Sequence, residues 1–175
     1  MVQLADILYP QNIACSVSVS SKKKALNKVS RMLSDSLNAS TQKSEDSGDE
    51  EPTTSDETDE EILNEVDILD ALIGRERLGS TALGQGIAVP HGHVTELETP
   101  IAALLTLDKG IEFDAPDDAA VDIIFALLVP EGSTDDHLAI LSQVAERLDK
   151  PELTAALREC NADQIERAFE IFCQQ

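Results

Sequence analysis

The sequence has few cysteines, few basic residues and no long apolar run, and each shortage excludes a class of protein. Its three cysteines, Cys15, Cys160 and Cys173, form no CxxC pair and would leave one thiol over in a disulfide framework, which is typical of a reducing compartment. No window reaches the ~18 consecutive apolar residues of a membrane-spanning helix. The first residues also lack the basic and then apolar order of a secretory signal. These absences predict a cytoplasmic protein without membrane insertion.

Basic residues are outnumbered, since 13 Lys and Arg stand against 34 Asp and Glu, for a formal net charge of −21. Because phosphate backbones need clustered cations, nucleic acid is not expected as a ligand. About half of the net charge comes from residues 45–61, which hold ten Asp or Glu and no Lys or Arg. Residues 40–58 contain no aromatic, Val or Ile residue, so we expect a disordered acidic insertion there, within a single domain spanning 1–175.

Apolar patterning predicts several strands. Apolar and polar residues alternate over 13–19, as in a half-buried strand. Near-continuous apolar runs at 101–107 and 121–129 are typical of central strands that are covered on both faces. Residues 111–113 are a candidate short edge strand.

Helical spacing predicts a helix after Ser21, a second ending at Gly74, a third opening at Ser133, and two more near Pro151 and Asn161. The lysines at 22–24 oppose the dipole of the first helix, so we expect them to contact solvent or a partner. Ser133 and Asp136 resemble a capping box. The inward face of the third helix is expected to comprise Leu138, Leu141, Val144, Ala145 and Leu148. Helices interleaved with strands indicate a layered α/β domain with a mixed sheet.

Residues 75–93 carry the most chemistry, because they place a nucleophilic imidazole, His91, among two guanidinium groups and four glycines. Neutral imidazole is a good nucleophile near pH 7, and a phosphoryl group on its nitrogen stays reactive enough to be passed onward. Such a site needs cationic and N–H donors around the phosphoryl oxygens. The candidate donors are Arg75 and Arg77, the hydroxyls of Ser80 and Thr81, the backbone near Gly84, Gly86 and Gly92, and His137. The pattern predicts an anion-handling loop around His91.

Each of these residues also has an ordinary structural interpretation. A Pro-His-Gly sequence is commonly a turn, arginines after a helix are commonly solvated charges, and His137 would fit a structural role. An alternative function is that of a zinc hydrolase, in which His91, His93 and His137 hold the metal and leave one coordination position open. No HExxH or carboxylate-rich metal motif accompanies these histidines.

Several motifs in order resemble the mannitol/fructose-type enzyme IIA domains of the bacterial phosphotransferase system, closest to their nitrogen-related regulatory branch. The main motif runs from Arg75-Glu76 through Ser80-Thr81 and Gly84 to GIAVPHG at 86–92. The likeness continues through SKKKAL from position 21, GI-x-FDA from 110, VDIIFALLVP from 121 and HL-x-x-L from 137. It therefore covers nearly the whole chain except the acidic insertion.

The resemblance implies that His91 accepts a phosphoryl group through Nε2, that His137 is the second active-site histidine, and that Arg75 neutralises phosphoryl charge. It implies a mixed, about five-stranded sheet between helices, a three-layer α/β/α fold. The donor would be a histidine-phosphocarrier protein loaded from phosphoenolpyruvate through enzyme I, and neither a cofactor nor a metal is expected. His93 stands where the family frequently has Arg or Lys.

Two functions follow from this resemblance. The first is a regulatory phosphocarrier whose phosphorylation at His91 changes which protein it binds, and it is favoured by Gly79-Ser80-Thr81 and by the lack of a fused enzyme IIB, carrier or transmembrane segment in the sequence. The alternative is a sugar-specific enzyme IIA that passes phosphoryl groups to a transport permease. Either would be a component of a phosphotransfer chain rather than a free-standing metabolic enzyme.

Overall fold

The computed structural model describes residues 2–42 and 63–174, which form a layered α/β domain. The helices and strands in these ranges are α1 (Leu4–Ile7), β1 (Leu8–Val17), α2 (Lys22–Gln42), α3 (Glu65–Arg77), β2 (Ala82–Gly84), β3 (Ile87–Ala88), β4 (His91–Val94), β5 (Ile101–Ile111), β6 (Val121–Pro130), α4 (Thr134–Leu148), α5 (Pro151–Glu159) and α6 (Ile165–Cys173). None of the described helices is long and apolar enough to cross a membrane.

The strands form one mixed sheet in the order β1-β5-β6-β3-β2, and β4 also pairs with β6. Strand β5 lies parallel to β1 and antiparallel to β6, whereas β3 and β4 both lie parallel to β6. Ile87 and Ala88 pair with the start of β6, and β4 pairs with its end. Strands β3 and β4 therefore follow one another along the same edge of β6.

Both faces of the sheet are covered, as the continuous apolar runs predicted. On β6, Phe125, Leu127 and Val129 pack in the core beneath α4, α5 and α6. The alternate residues Ala126 and Leu128 pack in a second core beneath α2 and α3. Because successive strand residues point to opposite faces, one apolar strand supplies both cores. The predicted mixed α/β architecture is confirmed, with six strands in the sheet where about five were expected.

Two of the predicted strands differ from those in the structure. Strand β1 begins at Leu8 and ends at Val17, earlier than the predicted 13–19. Residues 111–113 form no separate edge strand in the described structure: Ile111 ends β5 and pairs with Val121, and Phe113 is buried outside the strand. Burial of that aromatic ring, rather than pairing of its backbone, accounts for the apolar pattern.

Two helices run further than the sequence predicted. Helix α2 continues to Gln42, so the first three residues of the predicted acidic insertion are helical, while residues 43–58 lie outside the described residues. Helix α3 begins after its N-cap Asn64 and passes Gly74 to end at Arg77. Gly74 was expected just beyond the helix end, but α3 continues one further turn, and Glu76 in that turn is buried.

The predicted inward face of α4 is confirmed at Val144 and Leu148 but is wrong at Leu138. Its buried residues are His137, Ile140, Val144 and Leu148, whereas Leu138 is 61% exposed. The Ser133 side chain makes no capping hydrogen bond, so the predicted capping box is absent. The predictions for the last two helices are confirmed, with Pro151 in the first turn of α5 and α6 beginning after Gln164.

Candidate functional site

His91 is the first residue of β4, at the edge of the sheet. The sequence had predicted that it lies in a loop. It pairs with Leu127, whose N–H donates a 2.9 Å hydrogen bond to the carbonyl of Pro90. Because side chains alternate along a strand, His91 and His93 lie on the same face of β4. Gly92 and Val94 lie on the opposite face, toward α3.

The hydrogen bonds of His91 define which ring nitrogen is nucleophilic. Its Nδ1 lies 2.9 Å from the carbonyl oxygen of Val89, and a carbonyl only accepts, so Nδ1 carries the proton. Its Nε2 lies 3.1 Å from Nε of Arg75, which only donates. Burial lowers the pKa of His91, and the charge of Arg75 lowers it further, against the opposing effect of the Val89 hydrogen bond. The ring is therefore a neutral imidazole with its lone pair on Nε2.

Arg75 reaches His91 from the last turn of α3. Its Nη1 also donates a 3.0 Å hydrogen bond to the carbonyl of Gly79, which anchors the guanidinium from a second side. Helix α3 approaches β4 closely at Gly92, where an added Cβ would lie 3.1 Å from the Cβ of Ala71. Arg77 is exposed and lines a different cleft with Lys22, so of the two predicted cations only Arg75 reaches the histidine.

His137 lies in the first turn of α4, with only 8% of its surface exposed. Its ring centroid is 4.9 Å from that of His91 and 4.7 Å from that of His93, in edge-to-face geometry with both. Burial lowers the pKa of His137 to about 4, helped by repulsion from the other two imidazoles and from Arg75. His137 is thus a neutral ring between the other two histidines. Its backbone N–H donates to the carbonyl of Ser133 at 3.0 Å, so only the ring is available as a donor.

The hydroxyls of Ser80 and Thr81 were predicted to donate to a phosphoryl group, but both donate hydrogen bonds to groups within the protein. Ser80 Oγ donates to the carbonyl of Phe113 at 2.6 Å. Thr81 Oγ1 donates at 2.6 Å to Oε2 of Glu76, whose Oε1 accepts from the Thr81 N–H at 3.0 Å. Because the segment after α3 is tied down on both sides, these residues support the position of Arg75.

Glu76 was not predicted to take part in the site, and the contacts of Lys22 were predicted wrongly. Lys22 was expected to contact solvent or a partner, yet its Nζ lies 2.8 Å from Glu76 and 3.1 Å from Asp114, and 4.7 Å from the centroid of the Phe113 ring. Glu76 follows Ile68 and Leu72 at four-residue spacing, so helical periodicity already placed it on the buried face. A carboxylate at such a position needs a cation, but the sequence alone offered Arg75 and Arg77 beside it as well as the lysines at 22–24.

Two of the predicted glycines lie away from the histidines. Gly84 and Gly86 have φ of 95° and 81° and flank the turn between β2 and β3. Ile87, at the end of this turn, pairs with Ile123, four residues along β6 from the partner of His91, a separation of roughly 13 Å at the rise of a strand. These glycines shape a turn, and Gly92 permits the close approach of α3.

An open groove of about 410 Å³ lies beside His91 and Arg75, lined largely by apolar side chains that include Leu83, Leu138 and Leu141. Leu83 is 52% exposed and Leu138 is 61% exposed. Large exposed leucines around a reactive group are typical of a surface where another protein docks.

The rival zinc arrangement does not match this geometry. Residues 2–42 and 63–174 contain no group of three or more His, Cys, Asp or Glu side chains placed to hold a metal ion. The Nε2 of His91, which would coordinate the zinc, instead faces the cationic guanidinium of Arg75 at 3.1 Å.

Comparison with known proteins places this geometry in a family. Residues 6–171 match the family described as phosphoenolpyruvate-dependent sugar phosphotransferase system, EIIA 2. A nitrogen regulatory protein of Pseudomonas aeruginosa is 34% identical over 98% of this chain and 95% of its own length. One of Bradyrhizobium diazoefficiens is 32% identical over 89% of this chain and 86% of its own.

Solved structures agree with the sequence relatives. Nitrogen regulatory protein IIA-Ntr from Neisseria meningitidis superposes with a TM-score of 0.77 at 29% identity, covering 95% of this chain and 97% of that one. The IIA mannitol structure from Escherichia coli shares the fold, with a TM-score of 0.63 at 17% identity over 91% and 96% of the two chains. The chain therefore belongs to the EIIA 2 family of the phosphoenolpyruvate-dependent phosphotransferase system, in its nitrogen-regulatory branch.

Proposed function

We propose that this protein is a regulatory phosphocarrier that accepts a phosphoryl group on Nε2 of His91 and binds its partners according to its phosphorylation state. The observation that carries the proposal is the protonation pattern of His91. Its proton is held on Nδ1 by the Val89 carbonyl, and its nucleophilic Nε2 faces the Arg75 guanidinium beside a second buried histidine. This arrangement leaves a single nitrogen for the reaction and places a cationic hydrogen-bond donor against it.

In the transfer step, the lone pair of His91 Nε2 forms the new N–P bond, and the electron pair of the breaking N–P bond returns to the donor's imidazole. Charge balances when the second ring nitrogen of the donor carries a proton, so that the donor departs as neutral imidazole. The His91 ring keeps its Nδ1 proton and gains positive charge, which the Val89 carbonyl stabilises at 2.9 Å. No separate base is required.

Arg75 and His137 would stabilise the phosphoryl oxygens. The Arg75 guanidinium already lies against Nε2, and a small shift transfers its hydrogen bond from the ring to a phosphoryl oxygen. His137 adds a neutral N–H donor, because burial keeps its pKa near 4. Preorganised donors of this kind typically contribute ~10²–10³ in rate each.

The donor we propose is a histidine-phosphocarrier protein. The groove beside His91 exposes Leu83 and Leu138, which suits a partner with an apolar patch around its own phosphohistidine. This chain carries a formal net charge of −21, so a partner with basic residues around that patch would associate faster. The described cysteines are all free, and we place this exchange in the cytoplasm.

Phosphorylation would also act as the regulatory signal. A phosphoryl group adds about −1.5 to −2 charges at pH 7, and here it would stand at the edge of the apolar groove. A target that packs on bare leucines would then have to desolvate a dianion, so the phosphorylated and bare forms would prefer different partners. The relatives that match nearly the whole chain are named nitrogen regulatory proteins, which favours regulation over delivery to a sugar permease.

The test is incubation with enzyme I, a histidine-phosphocarrier protein and labelled phosphoenolpyruvate. We expect one acid-labile, base-stable phosphoryl group, mapped to His91 and absent from His91→Ala. Thr95→Ala, on the exposed segment after β4, is the matched control and should be labelled normally. A label on His93 or His137, or none at all, would remove the proposal.

Regulation is tested by capture from cell extract with phosphorylated protein, bare protein and His91→Ala. We expect a partner set that differs between the first sample and the other two. Efficient transfer onward to a sugar permease's enzyme IIB, with identical partner sets in all three samples, would instead establish the sugar-specific alternative.

A further inference from the structure

His93 lies beside the proposed phosphoryl site and has no role in the function proposed above. It shares a face of β4 with His91, and its side chain is exposed. Its Nε2 lies 3.1 Å from Nδ1 of His137. His137 therefore stands between the other two imidazoles, in contact with His93 on one side and His91 on the other.

The other nitrogen of His137 is unsatisfied. Its Nε2 is fully buried and has no hydrogen-bond partner among the described residues. A buried polar atom without a partner is unfavourable, and the His91 ring lies beside His137, at 4.9 Å between centroids. A phosphoryl oxygen on His91 is a ligand that would satisfy this nitrogen.

His93 determines which ring nitrogen of His137 carries the proton. A neutral imidazole has one N–H and one lone pair, so the bond between His93 Nε2 and His137 Nδ1 has two possible directions. If His137 donates, its Nε2 is a bare lone pair that repels a phosphoryl dianion. If His93 donates, the proton of His137 is on Nε2 and is available to a phosphoryl oxygen.

We propose that His93 is a positioning residue that donates its Nε2–H to Nδ1 of His137 and so holds the His137 proton on Nε2, toward the phosphoryl group of His91. The proposal rests on the proposed function of His91. His93 itself does not touch the reacting atoms. It acts by fixing the tautomer of His137, in the way that the second hydrogen bond of a functional histidine selects the nitrogen that reacts.

The test compares replacements of opposite hydrogen-bond character. His93→Lys supplies only a donor, and His93→Glu at neutral pH supplies only an acceptor. Long-range 1H–15N NMR of the full-length, 15N-labelled protein reads the tautomer of His137 directly. We expect the Nε2–H form in wild type and in His93→Lys, and the Nδ1–H form in His93→Glu.

The same variants are then assayed for phosphoryl transfer to His91 and back to the donor. We expect His93→Glu to slow transfer by on the order of 10², the effect of losing one preorganised donor, and His93→Lys to stay close to wild type. Thr95→Glu places a negative charge two residues further along the chain and controls for repulsion of the donor's phosphoryl group. Melting curves check that each variant is folded.

Three outcomes overturn the proposal: an Nδ1–H form of His137 in wild type, the same tautomer in both His93 variants, or equal slowing by His93→Glu and Thr95→Glu. Failure of the proposed function is distinguishable, because it appears as an unlabelled His91 in wild type. The NMR measurement needs no phosphoryl donor and still decides the direction of the bond between His93 and His137.

Discussion

Acidification should destabilise this protein through His137. Its pKa is about 4 in the folded state and near 6.5 in an unfolded chain. A group whose pKa is depressed by folding contributes stability that is fully present above its unfolded pKa and is lost as the pH falls through the folded value. The loss from His137 should therefore begin near pH 6.5 and continue to about pH 4.

The magnitude follows from the two pKa values. Each pKa unit of difference corresponds to about 1.4 kcal/mol. Complete protonation of His137 would therefore lower the free energy of unfolding by roughly 3 kcal/mol, and about 2 kcal/mol of this is already lost at pH 5. His137 is 8% exposed, so little of this cost is removed by solvent screening. The pKa of His91 is also lowered by burial, which adds a loss of the same sign.

The assay is urea unfolding of wild type and of His137→Gln at pH 7.5 and pH 5.0, followed by circular dichroism. Wild type should lose about 2 kcal/mol more than the variant between the two pH values, because titration of the carboxylates is common to both proteins. A direct NMR titration of His137 gives the folded pKa independently. Equal losses in the two proteins, or a measured pKa near 6.5, would refute a buried neutral His137.

Three further predictions concern Arg75, Lys22 and the acidic segment 45–61. Arg75→Ala should slow phosphoryl transfer by ~10²–10³ in quench-flow, because its guanidinium contacts Nε2, whereas Arg77→Ala should have little effect. Lys22→Met should lower the free energy of unfolding by about 1–3 kcal/mol in urea titrations, because it leaves the buried Glu76 carboxylate without its cation. Neutralising the ten acidic residues of 45–61 to Asn and Gln should raise the association rate with the donor at low salt, with the difference fading at high salt.

Each of these predictions has a control and a contradicting result. Equal slowing by both arginine variants would mean that general positive charge, rather than contact with Nε2, matters. Lys23→Met, at an exposed position of the same helix, should change the free energy of unfolding by less than about 0.5 kcal/mol. If it lowers this free energy as much as Lys22→Met does, the ion pair of Lys22 with Glu76 is not the cause. Slower association after neutralising 45–61 would show that the segment recruits a basic partner surface.

The sequence by itself determined the layered architecture and the identity of the central histidine. Strands β5 and β6 were recognisable because both faces of each are buried, which requires nearly continuous apolar residues. The motif around His91 was recognisable because this histidine, the glycine that lets α3 approach and the arginine all lie within nineteen residues. Such patterns are local, so they are visible without knowledge of how the elements pack.

The tertiary structure decided how the side chains around His91 are connected. The contact between His93 and His137 joins residues 44 positions apart, and the pair of Lys22 with Glu76 joins two helices. Periodicity reports which face of an element is buried, but not which polar groups meet there, because those pairings depend on how elements pack in space. The wrong prediction at Leu138 has the same origin: the packing of α4 against the sheet turned His137 inward and left Leu138 exposed beside the groove.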